Sequence, residues 1–138
     1  MSEQTHVATH ETMMASLEAV AETGVDIVPL YFQRFFASFP ADEAMFYNRQ
    51  SSLGIMVNEM LTALLSQAEG SDWVPTYLRA QVATHHDKGI IPVERYRAAL
   101  GILVDVLGET AGDRWTAAYE DAWRGEAARM YELIARHY

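Results

Sequence analysis

Four prolines and eight glycines are all that interrupt this chain, and they fall between stretches whose apolar residues recur every three to four positions. That period puts apolar side chains on one stripe of a helix. Strand-like alternation flanked by hairpin turns is absent. The pattern predicts an all-α chain. A first helix is expected over about 10–22, with Met14, Leu17 and Val20 on one face, and residues 1–9 are expected to fray. A second covers about 26–38 and is rich in aromatics: Tyr31, Phe32, Phe35 and Phe36. Pro29 lies in its first turn, where a missing N–H costs nothing.

The remaining segments follow from the breakers. Phe39-Pro40-Ala41-Asp42 reads as a corner before Met45-Phe46-Tyr47. Ser51 or Ser52 can cap a helix over about 53–67, whose stripe is Leu53, Met56, Val57, Met60, Leu61, Leu64 and Leu65. A short helix over about 74–87 is expected to end at Gly89, and a long one, opened by Pro92 and running through 107, to close at Gly108. A last helix is expected over about 113–137. Such unequal lengths argue against a plain four-helix bundle.

With 138 residues, half of them hydrophobic and 21% charged, the chain can build one domain with a core, expected over 1–138, and is not a disordered linker. No apolar run approaches the length of a membrane span. Cysteine is absent, which removes disulfides, thiol catalysis and cysteine-ligated metals. The N-terminus lacks a basic segment followed by an apolar one, so a cytoplasmic location is expected. The net charge is −9, and every base except Lys88 is arginine. A field of that sign without a basic stripe disfavours nucleic acid.

No phosphate-cradling glycine loop, GxSxG or HExxH is present, and no paired Glu-x-x-His motifs suit a di-iron site. Asn58 and Glu59 are expected on an outer face. Of the five histidines, His6 and His10 share helical spacing near the terminus, and His137 is next to last. His85 and His86 end a short helix. From His85 the helical face holds Gln81, Val82, Leu78 and Val74; from His86 it holds Ala83, Val82, Arg79 and Pro75. His85 is therefore expected to look inward, either as a structural histidine bonded to a carbonyl or as a ligand.

The stretch from Thr84-His85-His86-Asp87-Lys88-Gly89 to Pro92 and Tyr96 resembles the end of the F helix and the FG corner of a globin. Gly24 to Phe36, with Tyr31-Phe32-Gln33-Arg34-Phe35-Phe36, resembles a globin B helix. Phe39-Pro40 followed by Phe46 resembles the C helix and the phenylalanine that packs on haem. Leu107-Gly108-Glu109 and Ala118-Tyr119-Glu120-Asp121-Ala122-Trp123 are similar to the G–H junction and H helix of bacterial single-domain haemoglobins and flavohaemoglobins. The likeness runs from about 18 to 138.

The resemblance implies a globin-like fold of six to eight helices around a haem pocket holding haem b (iron protoporphyrin IX). The implied iron ligand is His85, with His86 as the alternative, since Tyr96 follows them by eleven and ten residues respectively. Phe32, Phe46, Met56, Val57 and Met60 are the implied pocket wall, with Val82 and Tyr96 beside the histidine. The family's polar distal residues are replaced by Phe32 and Met56, although Tyr31 is one residue from the first of these positions. A carbonyl on the F helix or Glu132 is the implied acceptor for the other imidazole nitrogen.

The implied function is reversible binding of O2, CO or NO. The alternatives are a nitric oxide dioxygenase component that needs a separate reductase, and a globin-fold sensor or interaction module, with or without haem. The expected partners are accordingly a diatomic gas and a reductase or signalling protein. The chain is expected to be a monomer or homodimer, with no nucleic acid or membrane partner.

Overall fold

The structure, a computed structural model, describes residues 3–45, 49–86 and 91–138. Helix α1 spans Glu3–Ala21 and ends in a turn at Gly24, whose φ of 71° favours glycine. Asp26 then stands extended and its carboxylate accepts from Val28 N–H at 3.0 Å, which starts α2, Ile27–Ser38. A 3-10 turn over Pro40–Met45 follows. Helix α3 is Arg49–Glu69 and α4 is Val74–His86. Helix α5 runs Val93–Ala111, and a short 3-10 turn leads to α6, Ala117–Arg136. Thr116 caps α6 by accepting from Tyr119 N–H at 3.1 Å. Among the described residues there is no strand, and no helix is long and apolar enough to cross a membrane.

Helix α3 starts a turn before the expected residue 53, ahead of Ser51 and Ser52, and α6 starts a turn after the expected 113; two further boundaries differ for reasons visible in the packing. The first helix starts at Glu3 rather than near residue 10, because its first turns are anchored. His6 Nδ1 lies 3.1 Å from the Ala68 carbonyl, and His10 Nε2 lies 2.9 Å from the Glu69 carboxylate. The same helix buries Met13 and leaves Met14 43% exposed, so its inner stripe is Met13, Leu17 and Val20. Helix α5 runs through Gly108 and ends at Gly112, where φ is 60°. Gly108 serves another purpose. A Cβ there would lie 3.1 Å from Trp115 Nε1, so glycine lets the indole pack flat on α5.

Helix α5 is the centre of the core, packed on α6, α2 and α1, while α1 also packs on α3 and α6. Eight of its residues are buried, from Ala99 to Ala111. Trp123 is fully buried on α6, and its indole N–H donates to Ser16 Oγ at 2.8 Å; Ser16 in turn donates to the Met13 carbonyl at 2.6 Å. Such a chain satisfies polar atoms that would otherwise cost about 1–3 kcal/mol each. Helices α3 and α4 meet at the 70–73 corner, and both also rest on α6. Space opens between them.

Candidate functional site

Helices α3 and α4 are the two walls of that space, and α5 and α6 form its floor. The cavity has a volume of about 460 Å³, within the range of small-molecule sites. Met56, Met60 and Ala63 come from α3, Leu78, Val82 and His85 from α4, Tyr96, Ala99 and Leu100 from α5, and Met130 and Ile134 from α6. Phe35 on α2 closes one side. Asp42, Ser52, Glu59, Gln81 and Arg95 also line it. The chemistry is that of an apolar slot carrying one imidazole.

His85 is half-buried and lines this cavity, whereas His86 is exposed. The difference follows from the hundred-degree step of a helix: Leu78 and Val82, buried on the same face, turn His85 inward. His85 Nδ1 lies 3.1 Å from the Tyr96 hydroxyl. This hydroxyl comes from the first turn of α5 and is a partner that the sequence expectation, an F-helix carbonyl or Glu132, did not name. Glu132 is exposed. Burial, with Tyr138 nearby, pushes the Tyr96 phenol up to about 12, so it stays protonated at neutral pH. His86 instead meets the ring of Tyr138 edge-on at 4.8 Å.

The expected site residues divide. Met56, Met60, Val82, His85 and Tyr96 come together around the cavity. Val57 does not line it, being buried in the core at 1% exposure. Phe32 is also buried, but it lines a separate depression with Asp26, Val28, Pro29, Gln33, Phe36, Glu43 and Leu53. The α2 residue at the cavity is Phe35, while Phe32 turns to the depression that it lines together with Phe36. Their rings sit 5.4 Å apart. Phe46, Asp87, Lys88, Gly89 and Ile90 lie outside the described residues.

Tyr31 is on the Phe35 face, and the two rings stack at 5.9 Å. Its phenol is fully buried and donates to the Ala99 carbonyl at 2.9 Å, with Met60 Sδ at 3.9 Å. Burial raises its pKa far above the ordinary phenol value, so the proton stays on oxygen. Sequence reasoning missed Phe35 and the Tyr31–Ala99 bond. An aromatic run on both faces of α2 gave no signal for choosing between them.

The rim is held by pairs. Tyr77 donates its hydroxyl to Glu59 at 3.1 Å, tying α4 to α3; burial first, and then that carboxylate, raise the phenol's pKa. Glu59 is thus exposed, as expected, yet also part of the cavity lining. Arg95 pairs with Asp42 and stands 4.0 Å above the Phe39 ring, fixing the 3-10 turn to α5. Among the described residues no group of three or more His, Asp or Glu side chains converges as a bare metal ion would need. A porphyrin needs only one protein donor, because it supplies four nitrogens itself. The residues fit such a group: an apolar slot between two helices, and one imidazole whose second nitrogen is oriented by a hydroxyl. No family model matches this chain, and no curated protein or solved structure matches it either.

Proposed function

We propose that the chain is a globin-like haem protein that reversibly binds a diatomic gas at haem iron held through one proximal histidine, His85. The observation that carries this reading is the His85–Tyr96 pair at the wall of a largely apolar cavity between α3 and α4. Haem, when bound, supplies an iron with one coordination position for a small gas. Every other contribution is the chain's own. Val82, Leu78, Met60 and Leu100 would exclude water from the porphyrin faces. Tyr96, by accepting from Nδ1–H, would hold the imidazole in the tautomer whose Nε2 is the ligand. Order along the chain supports the reading as well: a long α1, an aromatic α2, a Pro-led 3-10 turn, and then the α3/α4 pair.

The two methionines of the α3 wall offer a ligand no hydrogen bond. Met56 and Met60 have no N–H or O–H, and the Tyr31 proton is committed to Ala99. A ligand that becomes partly negative on binding, as O2 would and CO would not, therefore gains little from these residues, where one hydrogen bond contributes about 1–2 kcal/mol.

Absorption spectra of the purified, haem-supplied chain test the assignment. His85→Ala is expected to abolish the native ferrous spectrum and to recover it with added imidazole, while His86→Ala leaves it nearly intact. A normal spectrum in His85→Ala, or its loss in His86→Ala, contradicts the assignment.

A further inference from the structure

The cavity wall facing α4 carries a second kind of metal donor. Among the residues that α3 contributes, Ser52, Ile55, Met56, Glu59, Met60 and Ala63, the carboxylate of Glu59 is engaged by Tyr77. The other donor atoms that this helix brings to the cavity are the Ser52 hydroxyl and the thioethers of Met56 and Met60, and of these only the thioethers are soft. A thioether is a soft, uncharged ligand that completes haem iron opposite an imidazole in electron-transfer proteins, where it raises the reduction potential.

The two methionines are not equivalent. Met60 Sδ is turned toward α2, 3.9 Å from the Tyr31 hydroxyl. The Tyr77–Glu59 bond also fixes where α3 and α4 face each other. Moving away from the 70–73 corner, α4 runs from Tyr77 to His85, and α3 runs from Glu59 to Met56. Met56 and His85 therefore lie on the same side of that tie, and Met60 lies on the corner side. Met56 is half-buried on an unbranched, three-torsion side chain, which can reach a ligand and also swing away from it.

We infer that Met56, on the proposed haem reading, is the internal sixth ligand: its thioether occupies the iron opposite His85 at rest and gives way to an incoming gas. The chain is then a six-coordinate, thioether-imidazole haem protein whose gas binding is gated by one methionine. Removing the competitor raises apparent gas affinity by the factor that the internal ligand had withheld, roughly tenfold if Met56 holds the position nine-tenths of the time.

The test uses the haem-loaded full chain, reduced and free of gas. The expected wild-type spectrum is low-spin and six-coordinate, with sharp, resolved visible bands. Met56→Leu keeps the apolar volume and is expected to turn this into the broad high-spin, five-coordinate form, to lower the reduction potential, and to raise CO affinity roughly tenfold. Met60→Leu is expected to keep the low-spin, six-coordinate spectrum, and Met14→Leu, on the exposed face of α1, to match wild type in all three. A wild-type ferrous protein that binds haem stoichiometrically but is five-coordinate overturns this inference and leaves the haem reading standing. So does a low-spin spectrum that persists in Met56→Leu, or one lost only in Met60→Leu. A chain that takes up no stoichiometric haem overturns both.

Discussion

At the scale of single residues, the imidazole at position 85 and its hydroxyl partner decide the site. Tyr96 orients His85 through one 3.1 Å contact, and partners of this kind typically contribute 10–100-fold to metal affinity. Tyr96→Phe is therefore expected to weaken haem affinity by roughly that factor while leaving the helical circular dichroism unchanged. Competition against a haem-binding protein of known affinity measures it. Tyr31 offers the opposite expectation. Because its proton is spent on Ala99, Tyr31→Phe is expected to leave the O2-to-CO affinity ratio unchanged. A tenfold or larger fall, the worth of about 1.4 kcal/mol, would mean that the phenol turns into the cavity and donates there. The inward direction of His85 was legible in the sequence, since only one of the two histidines follows Val74, Leu78 and Val82 at helical spacing. The choice of Phe35 over Phe32 was not. Tyr31, Phe32, Phe35 and Phe36 make both faces of α2 apolar, and periodicity cannot rank two apolar faces; the packing of α5 against α2 does so.

At the scale of elements, helix ends and inter-helix ties set the geometry. Glu120, in the first turn of α6, accepts from Trp115 Nε1 at 2.8 Å and from Arg124 Nε at 2.9 Å. The indole N–H first, and then the guanidinium, hold its carboxyl below the ordinary value of 4.5. A depressed folded-state pKa gives stability that is present above 4.5 and lost as pH falls through the folded value. Thermal melts of Glu120→Gln are accordingly expected to fall less steeply with acid below pH 4.5 than those of wild type; parallel acid limbs would contradict this. A second tie joins α3 to α6. Gln67 Nε2 donates to the Glu126 carbonyl at 2.9 Å and to its carboxylate at 2.8 Å, and Arg129 pairs with the same carboxylate. Glu126 is 1% exposed, so Glu126→Ala removes a buried acceptor from Gln67 and is expected to cost about 1–2 kcal/mol, read as a lower denaturant midpoint. The helices themselves were largely legible from the breakers, within a turn or so of their ends. Gly108 misled because a glycine required for contact with Trp115 has the same letter as one that ends a helix. The N-terminal turns misled because their anchors, Ala68 and Glu69, are some sixty residues away.

At the scale of the whole molecule, the all-α architecture leaves a largely apolar slot between α3 and α4, and the proposed haem would complete the core by filling it. The stripe of α3 announced apolar residues but could not say which of them face a cavity and which, like Val57, face other side chains. That distinction exists only once α4 stands opposite. A ligand that binds only the folded state stabilises it, by about 2.7 kcal/mol at a hundred times its dissociation constant. The most direct measurement is a titration of haem into the chain prepared without it, following the Soret band and the melting temperature together. One haem per chain with a sharp endpoint, a rise of several degrees in melting temperature, and loss of both in His85→Ala are the expected result. Absorbance that grows without an endpoint, or a melting temperature that ignores the added haem, would contradict the account.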